Sequence, residues 1–137
     1  MEYQSLYHTQ VINKDGIEGV SYVNEPHGLS VTVSSPMKNH AGTNPEQLLG
    51  LSLATCLNAT IEAEEKRRGY EHQAVVTVEV DLAKDNPGYQ FFVTATVQMP
   101  HLDANEAASV LATSLTRCPV AKLLQSSDNV NIQLTAV

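Results

Sequence analysis

The stretch that decides the fold is NPEQLLGLSLATCLNATIEAEEKRRG, residues 44–69. It contains no charged residue between Gln47 and Ile61. Such a run is too short to span a bilayer, which needs about 20 apolar residues, but it is long enough for a helix buried on nearly every side. Asn44 can cap the first turn and Pro45 suits the first helical position. The sequence therefore predicts a long central helix.

Shorter elements flank this helix on both sides. Asp103 and Glu106 have the spacing of a capping box and predict the start of a second helix, and a further short turn is expected at residues 120–124. Two strands, at residues 4–12 and 17–23, are predicted on either side of an Asp-Gly turn at residues 13–16. Alternating apolar and polar side chains predict strands at residues 29–34, 74–82 and 130–135, and a strand at residues 89–99 is expected to return the chain after a turn at residues 86–88. The order βββ-α-ββ-α-β predicts an α+β fold, which we expect to form a single domain over residues 1–137.

The strands and the central helix differ in polarity. Each strand has one polar face, which is typical of a sheet with one side in water. One short sheet cannot cover a helix that is apolar all round. We therefore expect a partner subunit to supply the rest of the cover, in a homodimer.

The composition of the chain indicates which kinds of partner and which compartment to expect. The chain of 137 residues has a net charge of −7 and no basic stripe, which argues against nucleic acid. The charged run at residues 62–68 is interpreted as the solvated end of the central helix. The N-terminus lacks the basic start and apolar run of a signal peptide, and only two cysteines are present. These features predict a cytoplasmic protein with no membrane association.

No motif in the chain indicates a metal or cofactor site. There is no Gly-rich phosphate loop and no G-x-S-x-G sequence. The histidines show no i, i+4 pair, and we interpret all of them as surface or loop residues; they are His8, His27, His40, His72 and His101.

The two cysteines, Cys56 and Cys118, are the strongest candidates for chemistry. Their spacing excludes a compact zinc knuckle and a CxxC redox motif. Free cysteines are often simply buried packing residues, so a structural role stays open. A reactive thiol needs a nearby cation, and Arg117 adjoins Cys118. Glu46, in the first helical turn, is expected about 15 Å from Cys56 along the axis and on a different face.

Two motifs resemble one known family. The stretch NPEQLL followed by ATC, at residues 44–56, resembles the central-helix signature of the OsmC/Ohr family, the osmotically induced and organic hydroperoxide resistance proteins. RCPVAKLL at residues 117–124 resembles the second cysteine motif of that family, nearer its OsmC branch, and NVNIQLT at residues 129–135 resembles its last strand. The resemblance implies an intertwined homodimer with central helices packed between sheets. It also implies an antioxidant thiol peroxidase of the stress response that uses no metal, flavin or haem.

The same resemblance implies roles for individual residues. Cys56 would be the peroxidatic thiol, and Cys118 would close a disulfide that a dithiol reductant, lipoyl-type or another thiol, reopens. Glu46 would orient the activating arginine that the family places in its first hairpin. This chain has Lys14 in that region, so Lys14 and Arg117 are the candidates for the thiolate-activating cation.

Two other functions fit the residues. The chain could be a binding module that has an apolar ligand pocket at the dimer interface and retains its cysteines for packing. It could also be a thiol–disulfide oxidoreductase that exchanges disulfides without consuming peroxide.

Overall fold

Six strands and three helices make up the computed structural model, which describes residues 2–135. The predicted α+β class and element order are confirmed, and the stretch after Cys118 forms a third helix. The elements are β1 (Val11–Asn13), β2 (Gly19–Val23), β3 (Ser30–Val33), α1 (Pro45–Arg67), β4 (Val75–Lys84), β5 (Tyr89–Gln98), α2 (Ala104–Leu115), α3 (Pro119–Leu124) and β6 (Val130–Leu134). No helix within the described residues is long and apolar enough to cross a membrane.

The chain divides into two compact units, Met1–Pro45 and Glu46–Val137. The first unit contains the antiparallel sheet β1-β2-β3. The second contains the three helices and the sheet β4-β5-β6. The single domain expected from the sequence stays a prediction.

In the first unit, the predicted strand at residues 4–12 is wrong over most of its length. β1 begins only at Val11, which pairs with Val23 at the end of β2. The pairing extends one residue before β1, where the Asn24 amide donates to the Gln10 carbonyl at 2.8 Å, and the chain after Val23 turns toward β3, with the Val23 amide donating to the Leu29 carbonyl. A strand needs a neighbouring strand to pair with, and Leu6 is accordingly 95% exposed.

The predicted Asp-Gly turn does connect β1 and β2. Asn13 closes it from both sides, since its Nδ2 donates to the Gly16 carbonyl at 2.9 Å and its Oδ1 accepts from the Gly16 amide at 2.8 Å. Gly16 has a φ of +78°, which glycine adopts at little cost. Asp15 adds a bond from the Val20 amide at the start of β2.

The second unit is built on one apolar core. β4 and β5 pair antiparallel from Val75↔Gln98 to Lys84↔Tyr89, and β6 lies parallel to β5. The Asp103 side chain caps α2 by accepting from the Glu106 amide at 2.8 Å, as its spacing predicts. The core is formed by buried side chains of α1, β5, α2 and α3, among them Leu53, Leu57, Ile61, Val93, Ala95, Val97, Val110 and Ala121.

The central helix α1 is buried on one face and open on another. Leu53, Leu57 and Ile61 are fully buried, whereas Leu51 is 64% exposed. The expectation of a helix buried on nearly every side is therefore not met by the single chain. The open face of α1 is available for a further contact.

Candidate functional site

The structure brings the two thiols together. The Cys118 Sγ lies 3.3 Å from the Cys56 Sγ, and both cysteines are free. A disulfide bond is about 2.0 Å long, so a small movement of either side chain would close one. Residues that are 62 positions apart in sequence thus form one dithiol site.

Cys118 is the buried member of this pair. It lies between α2 and α3, and its amide donates to the Ser114 carbonyl at 2.9 Å. Its sulfur caps α3 by accepting from the Ala121 amide at 3.4 Å. Burial raises the pKa of the Cys118 thiol, against the smaller opposing effect of the Ala121 amide. Cys118 is therefore held as a protonated thiol whose S–H donates toward Cys56.

Cys56 is the accessible member. It lies on the flank of α1, partly buried at the edge of the apolar core. Its carbonyl accepts a bond from the Thr60 hydroxyl at 2.9 Å, one turn further along α1. The pair is thus asymmetric, with one cysteine partly exposed and the other buried.

The structure does not bring Glu46 to the thiols. Glu46 lies in the first turn of α1, where it favours the positive end of the helix dipole. It lines an open cavity of about 500 Å³ together with Gly50, Leu51 and Val80. Because α1 is one continuous helix, Glu46 and Cys56 are about 15 Å apart along its axis.

The two candidate cations have different surroundings. Lys14 lies in the turn between β1 and β2 of the first unit. Arg117, in the second unit, is 58% exposed, and its Nη1 lies 3.4 Å from Glu64 Oε1. The observed ionic partner of Arg117 is thus a carboxylate rather than a thiol.

Glu64 is the centre of a charge cluster that the sequence interpretation missed. Its carboxylate is buried and accepts from Arg67, from Arg68 Nε at 2.6 Å and from Arg117. These hydrogen bonds, first from Arg67 and then from Arg68, lower the pKa of Glu64 from 4.5 to about 2. The interpretation of this run as the solvated end of a helix is wrong for Glu64 and Glu65, since both are buried.

Glu65 lies in a second cluster. His72 Nδ1 and His101 Nε2 each lie 2.6 Å from its carboxylate oxygens, and the Gln73 amide donates to it at 3.3 Å. His101 lies in a loop, in agreement with the interpretation of the histidines as surface or loop residues, and its side chain is only 9% exposed. Within the described residues, no group of three or more His, Cys, Asp or Glu is arranged to hold a metal ion.

A sequence signal for both buried glutamates existed. Leu53, Leu57 and Ile61 mark one helix face at four-residue spacing, and continuing that spacing by three or four residues reaches Glu64 and Glu65. The prediction of a solvated segment followed from the charges of residues 62–68 and did not consider which of them lie on the buried face of the helix.

Fold and site together define an α+β protein with a dithiol centre between its longest helix and the start of α3. The family model described as OsmC-like protein matches residues 38–133. A solved structure from Lactobacillus casei is 46% identical, covers 98% of this chain and 94% of its own, and has a TM-score of 0.90.

Named relatives match at lower identity. Organic hydroperoxide resistance protein OhrB of Bacillus subtilis is 27% identical over 76% of this chain and 78% of its own length, and its crystal structure has a TM-score of 0.80. Peroxiredoxin OsmC of Escherichia coli is 24% identical over 80% of this chain and 77% of its own. This chain belongs to the OsmC-like protein family. The predicted resemblance is thus confirmed, while the closer kinship to the OsmC branch stays a prediction.

The asymmetry of the thiols predicts the order in which they react with iodoacetamide. In the native protein at pH 7, Cys56 should be alkylated at least about tenfold faster than Cys118, because alkylation needs an accessible thiolate. Peptide mass spectrometry at timed intervals measures both rates. In guanidinium the two rates should converge, and faster native labelling of Cys118 would contradict the described burial.

The low pKa of Glu64 predicts a pH-dependent contribution to stability. Above pH 4.5 the carboxylate is charged in both folded and unfolded chains, so its ion pairs contribute fully. As pH falls toward 2 the unfolded chain protonates first, and the contribution is lost. Glu64→Gln should therefore lower the melting temperature at pH 7, and this deficit should shrink toward pH 2.5.

Glu62→Gln is the matched control for this comparison, since Glu62 is exposed on the same helix. Thermal unfolding followed by circular dichroism between pH 7 and 2.5 measures both variants. A deficit of Glu64→Gln that is independent of pH would contradict the assigned ion pairs.

Proposed function

We propose that this protein is a cysteine-based thiol peroxidase that reduces organic or hydrogen peroxides in oxidative-stress defence. The observation that supports it most is the thiol pair, with sulfurs 3.3 Å apart and only one of them accessible. Relatives named organic hydroperoxide resistance protein and peroxiredoxin OsmC support the same chemistry. Between turnovers a reducing compartment such as the cytoplasm would keep both thiols free.

In this proposal Cys56 is the nucleophile. Its thiolate attacks the terminal oxygen of the peroxide, the O–O bond breaks, and the alkoxide leaves and takes a proton to become the alcohol. Sulfur is oxidised by two electrons to sulfenic acid, Cys56–SOH, and the peroxide is reduced by two.

Cys118 would complete the cycle. Its sulfur attacks the sulfenic acid, the S–S bond forms, the S–OH bond breaks, and hydroxide leaves as water with the proton from Cys118. A dithiol reductant, lipoyl-type or another thiol, then reopens the disulfide by exchange and is itself oxidised. No metal or organic cofactor is required by these steps.

The proposal also needs a positive charge for the Cys56 thiolate. Lys14 and Arg117 are the candidates, and Glu46 would orient the cation. Arg117 could serve only after leaving Glu64, 3.4 Å away. Lysine acts as a point charge without the two-pronged geometry of a guanidinium, so a carboxylate would hold Lys14 less firmly.

We further propose that the protein is a homodimer in which a second copy covers the open face of α1. The support is Leu51, 64% exposed on a helix that has no charged residue between Gln47 and Ile61. β4 adds a second surface, since it is the outer strand in the order β4-β5-β6 and hydrogen-bonds to β5 on one side. In the arrangement proposed here, the central helices pack between sheets of both copies.

A binding module is the second candidate function, and one observation favours it. The open cavity of about 500 Å³ beside α1 is lined mostly by small and apolar residues, namely Gly50, Leu51, Ala54, Val78 and Val80, with Glu46 and Gln47 at the start of the helix. An apolar ligand could occupy it without any contribution from the thiols.

Substituting each cysteine separates the two functions. Cys56→Ser should abolish peroxide consumption, because serine is not a nucleophile toward the O–O bond. Cys118→Ser should still consume one equivalent of cumene hydroperoxide and accumulate a sulfenic acid, which a 1,3-diketone probe traps. Ferrous–xylenol orange measures the peroxide, and mass spectrometry identifies the adduct on Cys56.

The unmodified protein should lose both thiols at one equivalent of hydroperoxide. If its thiols stay intact over minutes, the peroxidase is excluded and the binding module gains support. If they instead exchange with an added disulfide but consume no peroxide, the protein is a thiol–disulfide oxidoreductase.

The homodimer predicts a charge-sensitive helix face. Leu51→Glu should shift the sedimentation coefficient from that of a dimer to that of a monomer, because a carboxylate on the covered face would lose its hydration. Leu123→Glu is the control, since Leu123 is 77% exposed on α3. A monomeric unmodified protein at micromolar concentration would contradict the proposal.

A further inference from the structure

We infer that Glu64 and Arg117 are positioning residues that hold the Cys118-bearing segment against α1 and so set the separation of the two thiols. The inference deepens the proposed function, on which it depends for its chemistry. The thiol separation itself can be tested without any peroxide.

Two polar contacts among the described residues join α1 to this segment, in addition to the apolar packing of Cys118 in the core. Cys56 meets Cys118 at 3.3 Å, and Glu64 meets the Arg117 side chain at 3.4 Å. Cys56 and Glu64 are eight residues apart on α1, about 12 Å along its axis, whereas Arg117 and Cys118 are adjacent. A segment attached to a rigid helix at two separated points cannot pivot about either one.

Glu64 is itself a fixed anchor. Its carboxylate is buried and bonded to Arg68 Nε at 2.6 Å. Arg68 continues to α2, with Nη1 2.9 Å from Ser109 Oγ and Nη2 3.2 Å from Thr113 Oγ1. The acceptor of Arg117 is therefore locked between α1 and α2 and does not follow the segment that it holds.

The backbone hydrogen bonds of this segment connect it to residues that are close to it in the chain, and not to α1. The amides of Arg117 and Cys118 both donate to the Ser114 carbonyl, at 3.0 and 2.9 Å. These bonds attach the segment to the end of α2, which directly precedes it in the sequence. The Arg117 guanidinium supplies a contact with α1 that does not involve sulfur.

The consequence concerns the second chemical step. Disulfide closure needs the two sulfurs within reach, so its rate and equilibrium follow the fraction of time that the segment spends there. Loss of the contact between Glu64 and Arg117 should lower that fraction. The first step, attack of Cys56 on a hydroperoxide, forms no S–S bond, so its rate is measured separately from that of disulfide closure.

The test compares two arginines that share an acceptor. Arg117 and Arg67 both bind Glu64 and are 58% and 57% exposed, but Arg67 is three residues from Glu64 on the same helix. Arg117→Gln and Arg67→Gln are equilibrated with mixtures of reduced and oxidised glutathione. One oxidised glutathione takes two hydrogens from the cysteine pair and becomes two reduced molecules. The glutathione ratio at which half of the protein is oxidised gives the effective concentration of one cysteine thiol toward the other.

Arg117→Gln should lower this effective concentration about two- to fivefold, the range that a partly exposed ion pair supplies. Arg67→Gln should stay at the unmodified value, and Arg117→Lys should recover part of the loss. In a Glu64→Gln background, Arg117→Gln should have no further effect if the two residues act together. Equal values for Arg117→Gln and Arg67→Gln would overturn the inference.

Single-turnover oxidation separates this inference from the proposed function. With one equivalent of cumene hydroperoxide, Arg117→Gln should close the disulfide more slowly once the sulfenic acid has formed. Slower formation of the sulfenic acid, with an unchanged glutathione midpoint, would show that Arg117 activates Cys56 instead and would overturn positioning. If no protein consumes peroxide, the proposed function fails while the glutathione midpoints still decide the positioning role.

Discussion

The buried face of α1 is the constraint on which the second unit depends. Leu53, Leu57 and Ile61 are fully buried against the sheet and the other helices, and each contributes about 1.5–3 kcal/mol by leaving water. A turn of α1 about its axis would expose all three together, so the helix has one register. That register places Cys56 at the edge of the core, and two turns later it carries Glu64 inside.

A carboxylate in such a position needs charged partners, because an unpaired charge inside a protein is costly. Glu64 contacts every arginine of the chain, namely Arg67, Arg68 and Arg117. Arg67 is the last residue of the same helix, Arg68 directly follows it, and Arg117 reaches in from the segment that bears Cys118. The burial of one glutamate thus links the packing of α1 to the geometry of the dithiol site.

Local signals were sufficient to predict most of the elements. The cap at Asp103 and the start of α1 follow from side chains within four residues of each helix end. β1 is shorter than the predicted strand at residues 4–12 because a strand needs a neighbouring strand, which a turn signal does not extend along its whole length. The distance of 3.3 Å between the Cys56 and Cys118 sulfurs depends on packing between residues that are 62 positions apart. The sequence therefore identifies both thiols but does not predict that they are in contact.

The arginine cluster also bears on how Cys56 would be activated in the proposed peroxidase. A guanidinium held by Glu64 cannot at the same time approach Cys56, which lies about 12 Å away along α1. Positioning and activation therefore compete for Arg117, and no other arginine is present in the chain to take the second role. If Arg117 positions Cys118, the activating charge falls to a lysine, and Lys14 is the candidate that the family resemblance indicates. The weaker hold of a carboxylate on lysine would then make activation, rather than disulfide closure, the step most sensitive to ionic strength.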